Sequence, residues 1–209
     1  MSCILSRMSS PSSDILRVGE NAGGRRQHVL DAALLIFARY GYRKASMEDV
    51  ARAADISRPG LYLYFPSKQD LFRAAVTYAL DGDVAAAART LIDTARPLRD
   101  RLIDAFDQWT GRYVGPLTKD VALLIENNPD LLGPLVTDYP QRFATLVTDA
   151  IAADMSVERA RLARDVAQTL LSTAYGIKHE TSTREDFRAR MTIGIDLLLL
   201  ALQRSRGSG

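Results

Sequence analysis

The segment from Ser46 to Phe72 restricts the fold of this chain more than any other part of its 209 residues. It reads SMEDVARAADISRPGLYLYFPSKQDLF, and its three serines, Ser46, Ser57 and Ser67, are each placed to cap the start of a helix. Pro59 falls in the first turn of the second helix, where a missing N–H costs little. The pattern predicts two short helices separated by a turn and followed by a third helix, which is the layout of a helix-turn-helix that binds DNA.

The second helix of this pair, Ser57 to Tyr64, is the one that such a motif lays in the major groove. Pro59 and Gly60 carry little bulk, so the backbone can approach the bases closely. Arg58 is the long donor in the first turn and suits bidentate contact with guanine. Asp55 occupies the turn before this helix, where a positive φ is expected and where Asp is tolerated less easily than Gly.

Polar side chains around the second helix predict contacts with phosphate. Tyr62 and Tyr64 can direct their hydroxyls to the DNA backbone, which orients a protein without specifying a sequence. Lys68 begins the next helix, where its ammonium and the helix N-terminus both favour an anion. Taken singly, these residues have a plainer interpretation, because isolated cations are usually solvated and tyrosines are often half-buried. The full predicted DNA-binding set is Arg43, Lys44, Ser46, Ser57, Arg58, Pro59, Gly60, Tyr62, Tyr64 and Lys68.

The distribution of charge agrees with a DNA-binding N-terminal part. Residues 1–80 carry 11 Lys and Arg against 7 Asp and Glu, whereas residues 81–209 carry 16 against 18. A basic N-terminal part followed by a mildly acidic remainder suits contact with phosphate, although ordinary scatter of charge is the alternative. Ala and Leu abound while β-branched runs are scarce, so the composition predicts an all-α protein.

The sequence predicts a cytoplasmic protein. Its single cysteine, Cys3, leaves no disulfide within one chain and no cysteine-cluster metal site, which suits a reducing compartment. No apolar run approaches the roughly 20 residues of a membrane span, so no membrane association is expected. The first residues do not read as a signal peptide, and either Met1 or Met8 could be the true start.

Helical periodicity and its breaks divide the chain into three parts. Residues 1–24 are predicted to be a flexible tail, residues 25–72 the helix-turn-helix DNA-binding domain, and residues 73–209 a larger C-terminal helical domain. A first helix is expected from Arg25 to Tyr40, ended by Gly41. The remaining predicted helices cover residues 68–95, 98–114, 117–127, 140–154, 156–179 and 184–204.

Residues 25–72 resemble the N-terminal domain of the tetracycline-repressor (TetR) family of bacterial transcription regulators. This chain departs from the family pattern at Asp55, where Gly is usual, at Gly60, where a hydroxyl residue is common, and at Leu63, where His is frequent. The resemblance implies phosphate contacts from the Ser46, Tyr62, Tyr64 and Lys68 side chains and base-edge contacts near the start of the second helix. The stretches that carry the resemblance are Ala32-Ala33 with Phe37 and Gly41-Tyr42, Ser46 to Ala51, and Ser57 to Phe72, of which Leu61 to Lys68 is the most specific.

The last two predicted helices carry long apolar stripes. One is lined by Val166, Leu170 and Ile177, and the other by Ile195 and Leu198 among others. Stripes this apolar would be costly if exposed, so they predict a homodimer, although packing within one chain is the alternative. The resemblance likewise implies a four-helix bundle between two subunits, and a dimer would present two recognition helices to a palindromic operator in double-stranded DNA.

The resemblance also implies a small-molecule cavity in the C-terminal domain. Polar-tipped aromatics suit a mostly apolar pocket, but aromatics at helical spacing are more often core. We expect a repressor that a small apolar or aromatic effector releases from its operator; a ligand-independent regulator, acting as an activator or through protein partners, is the alternative. The candidate ligand-binding residues are Phe106, Trp109, Tyr113, Tyr139, Phe143, Tyr175 and His179.

An all-α enzyme is the rival class, and the sequence argues against it. His28 and His179 are far apart and belong to no recognisable metal-ligand or catalytic motif. Carboxylates such as Asp104, Asp107 and Glu126 are explained more simply as solvated helix faces. The sequence therefore predicts no catalytic residue, no metal site and no cofactor.

Overall fold

A computed structural model of the chain describes residues 11–115, 131–156 and 160–204, with side chains described from residue 23 to residue 202 in those ranges. Within them the chain forms α-helices and two short 3-10 helices, Gly111–Tyr113 and Ala160–Leu162, and no strand. The predicted all-α class is thereby confirmed. The α-helices are α1 Pro11–Lys44, α2 Met47–Ala53, α3 Arg58–Tyr64, α4 Lys68–Ile92, α5 Leu98–Trp109, α6 Leu135–Ala153, α7 Ala163–Glu180 and α8 Arg184–Arg204.

The first helix is longer than the sequence predicts. It begins at Pro11 rather than near Arg25, so residues 11–24 of the expected tail are helical, while residues 1–10 lie outside the described residues. The pair Gly23-Gly24 misleads because glycine in a helix costs only about 1 kcal/mol relative to Ala. Gly41 does interrupt the helix as predicted, with φ 72° and ψ 161°, a conformation nearly reserved for glycine.

Several boundaries of the C-terminal helices also differ from prediction. Helix α6 begins at Leu135, with Pro140 inside it, rather than at Pro140. Pro140 lacks the N–H that would bond the Val136 carbonyl, so the helix continues through it with one backbone hydrogen bond fewer. Helix α5 ends at Trp109 and α7 begins at Ala163, each with a 3-10 turn beside it. The helix predicted at 117–127 lies outside the described residues.

The chain divides into two compact units, Met1–Ala75 and Val76–Gly209. The first unit packs three α1 side chains, Val29, Leu30 and Phe37, in its interior. From the motif helices it buries, at most 4% exposed, Val50, Ala51, Leu61, Phe65, Leu71 and Phe72. Each helix of the motif thus buries one apolar side in the interior of the first unit and exposes its other side to solvent.

The second unit has its own core, formed by α5, α6, α7 and α8 with the later turns of α4. Phe106, Phe143 and Phe187 are its largest fully buried side chains. Leucines and isoleucines from every one of these helices surround them. None of the described helices is long and apolar enough to cross a membrane.

Candidate nucleic-acid interface

Serine caps fix the start of each helix in the motif. The Ser46 side chain accepts a hydrogen bond from the Asp49 backbone N–H at 3.1 Å, and the Asp49 carboxylate accepts from the Ser46 backbone N–H, which completes a capping box. Ser57 Oγ accepts from the Gly60 N–H at 3.1 Å, and Ser67 Oγ accepts from the Asp70 N–H at 3.1 Å. The three predicted caps are confirmed.

The turn between α2 and α3 needs one residue in the left-handed region. Asp55 is that residue, with φ 50°. Among the described residues it is the single one other than glycine with a positive φ. The Ile56 N–H donates to the Ala51 carbonyl at 3.0 Å across the turn. The positive φ expected at Asp55 is confirmed, and the turn sets the direction in which α3 leaves α2.

Helix α3 separates a buried side from an exposed side. Leu61 and, just past its end, Phe65 are buried, which fixes the helix against the first unit. The opposite side exposes Arg58, Tyr62 and Leu63, and the Leu63 side chain is 87% exposed. Tyr64 is half-buried. A short helix with this division can present its N-terminal side chains to the major groove.

Arg58 is held by two neighbouring side chains. Its Nη1 lies 3.7 Å from a carboxylate oxygen of Glu48 in α2, and its guanidinium carbon lies 5.8 Å from the centre of the Tyr62 ring. Interaction with the Tyr62 side chain, and to a lesser degree with Glu48, raises the pKa of the Arg58 guanidinium. The cation therefore remains fully charged at the exposed start of α3.

Lys68 makes contacts that the sequence does not reveal. Its ammonium donates to the carbonyls of Ala45 at 3.0 Å and Arg43 at 3.3 Å, and it lies 4.6 Å from the centre of the Tyr42 ring. Tyr42 in turn packs against Phe72 at 4.9 Å between ring centres. Lys68 thus ties the start of α4 to the last turn of α1 and to Ala45 just after it.

The structure brings most of the predicted DNA-binding residues to one part of the first unit. Arg43 and Lys44 are exposed directly before the capped start of α2. Pro59 and Gly60 lie in the first turn of α3, and Ser46 uses its hydroxyl in the capping box. The predicted DNA-binding set does not include two exposed side chains of the same helices, Glu48 of α2 and Leu63 of α3, although an acid four residues after Lys44 and an apolar residue between two tyrosines are visible in the sequence.

The seven predicted ligand-binding residues do not form one site. Phe106 and Phe143 are fully buried with ring centres 5.3 Å apart, and Trp109 stacks on Phe143 at 4.9 Å. These three rings belong to the core of the second unit or pack directly against it. Their surroundings in the described residues are those of packed core side chains.

Two of the predicted tyrosines bond to carboxylates of α4. The Tyr113 hydroxyl donates to Asp83, which also accepts from Arg112, and the Tyr139 hydroxyl donates to Asp81 at 2.7 Å. Burial raises the pKa of Asp83, against the lowering effect of its hydrogen bonds from Tyr113 and Arg112. Burial and the bond to Asp83 together raise the pKa of Tyr113. These bonds fasten α4 to the rest of the second unit.

Tyr175 and His179 lie on the outside of α7. Their ring centres are 4.4 Å apart, and Tyr175 is 67% exposed. Helix α8 exposes Ile193, Leu197 and Leu200, which recur at one helical face. The two ring residues therefore belong with an exposed surface of the second unit and not with its interior.

A surface cleft of about 440 Å³ lies elsewhere in the second unit. It contains none of the seven predicted ligand-binding residues. Its arginines are engaged, since Arg99 pairs with Asp196 and Arg96 with Asp104. The cleft is lined by Thr94, Ala95, Arg96, Pro97, Leu98, Arg99, Ile151, Asp154, Met155, Leu199 and Leu202.

Comparison with protein families gives a match over the helix-turn-helix motif. Residues 29–75 match the family described as bacterial regulatory proteins, tetR family. The chain is 37% identical over 62 residues to the uncharacterized HTH-type transcriptional regulator YfiR of Bacillus subtilis (strain 168), a match that covers 30% of this chain and 30% of YfiR. It therefore spans less than a third of the length of that relative.

Two longer similarities extend beyond the motif. The chain is 27% identical over 154 residues to the nicotine-responsive transcriptional repressor HdnoR of Paenarthrobacter nicotinovorans, covering 70% of this chain and 78% of HdnoR. A TetR-family transcriptional regulator from Mesorhizobium loti MAFF303099 has the same fold, with a TM-score of 0.69 over 86% of this chain and 96% of that chain at 14% identity. The names of these relatives are those of transcription regulators and not of enzymes.

Proposed function

The chain belongs to the TetR family of bacterial transcription regulators, and we propose that it binds a palindromic operator in double-stranded DNA as a cytoplasmic homodimer and represses transcription. The observation that carries this proposal is the exposed side of α3, where a capped helix of seven residues presents Arg58 and Tyr62 beside small Pro59 and Gly60. In this proposal Arg58 reads guanine, and the tyrosines contact phosphate.

Lys68 contributes to DNA binding in two ways in this proposal. Its ammonium supports the segment from Arg43 to Ala45, which carries the exposed cations Arg43 and Lys44. It also adds positive charge at the start of α4, where a phosphate is favoured. The same lysine then organises the phosphate-binding surface and forms part of it.

The outer faces of α7 and α8 support dimerisation. Ile193 and Leu197 are 60% and 63% exposed on α8, and Tyr175 is 67% exposed on α7. A second copy that covered these side chains would remove apolar area from water, which is favourable by about 25 cal/mol for each Å². Two copies joined here would offer two recognition helices to half-sites roughly 34–36 Å apart.

We further propose that a small apolar or aromatic ligand weakens operator binding. The similarity to a nicotine-responsive repressor supports this. The hydrogen bonds from Tyr113 and Tyr139 to carboxylates of α4 support it as well, because the same helix begins at Lys68 in the first unit. A ligand that replaced either bond would act on that helix, but only through its differential affinity for the two states. Gel-shift titration with candidate compounds should weaken the complex, and tighter complexes would contradict the proposal.

A ligand-independent regulator is the second candidate function. It is favoured by the close packing of Phe106, Trp109 and Phe143, because a filled interior leaves no room for an effector among those rings. Soaking or titration with apolar and aromatic compounds distinguishes the two. A change in the fluorescence of Trp109, the single tryptophan of the chain, supports a ligand, and its constancy supports the second candidate.

Selection of bound duplexes from random sequence with the full chain tests the main proposal. We expect an inverted repeat whose half-sites are separated by about one turn of DNA. Enrichment of a single, asymmetric site would contradict the dimer, and no enrichment at all would contradict specific DNA binding.

A further inference from the structure

A carboxylate lies beside the arginine that is proposed to read a base. Glu48 stands in the first turn of α2, and Arg58 is the first residue of α3. Their side chains are 57% and 59% exposed, and Glu48 Oε2 lies 3.7 Å from Arg58 Nη1. The ion pair therefore joins the two helices of the motif on the side that faces solvent.

Stability does not account for the position of Glu48. An exposed ion pair contributes little to folding, and the cap of α2 is already completed by Ser46 and Asp49. An acid in the first turn of a helix interacts favourably with the helix dipole, but that role does not require contact with Arg58. A negative charge on a surface that meets phosphate also opposes binding to DNA of any sequence.

The geometry around Arg58 offers a specific role for this carboxylate. Glu48 contacts one edge of the guanidinium, and the Tyr62 ring lies 5.8 Å from its carbon. A guanidinium carries five N–H donors, so one edge can be held while another remains available to a base. A long side chain fixed in this way has less rotamer entropy to lose when it binds.

We propose that Glu48 is a positioning residue that sets the guanine preference of Arg58, an inference that rests on the proposed DNA binding. The carboxylate orients the guanidinium toward O6 and N7 of guanine, a bidentate geometry that other bases do not match. It also repels the phosphate backbone, which lowers affinity for duplexes of every sequence alike. Glu48 thus lowers the affinity for DNA of any sequence and increases discrimination at one base pair in each half-site.

The test compares full-length wild-type protein with Glu48→Gln, which keeps the side-chain size and removes the charge. Asp31→Asn is the matched control, because Asp31 is an exposed carboxylate of the same unit, on α1. Affinity is measured for the selected duplex, for the duplex with the Arg58-dependent guanine replaced, and for an unrelated duplex. Arg58→Ala identifies that guanine, and the combination of Glu48→Gln with Arg58→Ala completes a double-mutant cycle.

We expect Glu48→Gln to reduce discrimination at that guanine about fivefold or more, and to raise affinity for the unrelated duplex more than Asp31→Asn does. In the Arg58→Ala background, Glu48→Gln should leave base preference at this position unchanged. Full discrimination in Glu48→Gln, with an affinity increase equal to that of Asp31→Asn, would overturn the proposal. Failure of the wild-type protein to select any duplex would instead overturn the proposed function.

Discussion

The two units of this chain differ in how their polar groups are placed. In the first unit, the serine caps and Arg58 lie within a segment of fewer than 30 residues, and short-range contacts fix their positions. In the second unit, Asp83 meets Tyr113 and Arg112 from 30 and 29 residues away. Local chemistry determines the first arrangement, whereas the second depends on how distant helices pack. The positions of side chains on an exposed binding surface can therefore be predicted from a sequence motif, whereas the contacts of an interior cannot.

The largest expected effect tests the packed rings of the second unit. Phe143→Ala should lower the free energy of unfolding by about 3–5 kcal/mol, because it removes a fully buried ring that contacts Phe106 and Trp109. Thermal unfolding followed by Trp109 fluorescence measures this loss. Phe143→Leu, which keeps most of the apolar volume, is the control and should cost much less. Equal stability of the wild-type chain and Phe143→Ala would show that these rings surround an open pocket.

Removal of the buried carboxylate in α4 should have the next largest effect. Asp83→Ala leaves the Tyr113 hydroxyl without its acceptor, at a cost of roughly 1–3 kcal/mol in the free energy of unfolding. Asp83→Asn retains an acceptor and should cost less. Denaturant unfolding of both variants gives the comparison, and a larger loss in Asp83→Asn would show that the charge itself is needed.

The pH dependence of stability should have opposite signs at Asp83 and Asp49. Burial raises the pKa of Asp83 above 3.8, so folding favours its protonated form and its contribution is lost as pH rises through the folded pKa. The hydrogen bond from Ser46 lowers the pKa of Asp49, so its contribution is lost as pH falls through the folded pKa. On acidification toward pH 4, wild-type protein should gain stability relative to Asp83→Asn and lose it relative to Asp49→Asn below about that pH. Unfolding curves across pH 3 to 7 would contradict this if both differences moved in the same direction.

A smaller effect separates the two roles of Lys68. Lys68→Ala should weaken binding to all duplexes by roughly tenfold or less and reduce the salt slope by about one, because one phosphate contact is lost. It should also lower the melting temperature of the first unit, since the bonds to the Arg43 and Ala45 carbonyls disappear. Lys44→Ala, at an exposed cation, is the control for charge alone. A lower melting temperature with an unchanged salt slope would assign Lys68 a purely structural role.

The smallest expected effect concerns the turn of the motif. Asp55→Gly should stabilise the first unit by up to about 1 kcal/mol, because glycine adopts φ 50° without the steric cost that Asp bears. The greater entropy of glycine in the unfolded chain opposes part of this gain. Thermal unfolding of full-length protein measures the difference, and a clear loss of stability would show that the Asp55 side chain contributes contacts of its own.

The sequence predicts structure correctly where spacing along the chain decides it. The caps at Ser46, Ser57 and Ser67 and the positive φ at Asp55 follow from local propensities. The helical class follows from composition and periodicity in the same way.

Contacts that depend on tertiary packing do not follow from the sequence in this way. Helical spacing places Phe106, Trp109 and Tyr113 on one face of the helix predicted at 98–114. It does not predict whether each ring contacts another ring, a carboxylate or a ligand. The pairing of Tyr113 with Asp83 requires α4 and the 3-10 turn to lie side by side. The bonds from Lys68 to the segment before α2 likewise depend on how α4 leaves α3.

The most direct test of the account compares the DNA sequences selected by wild-type protein and by Arg58→Ala. The wild-type chain should select an inverted repeat with a guanine at one position in each half-site, and Arg58→Ala should lose preference at that position while it keeps the others. The lost contact is worth about 1–3 kcal/mol for each half-site. Selection of the same sequence by both proteins, with equal strength, would contradict the assignment of α3 as the helix that reads DNA.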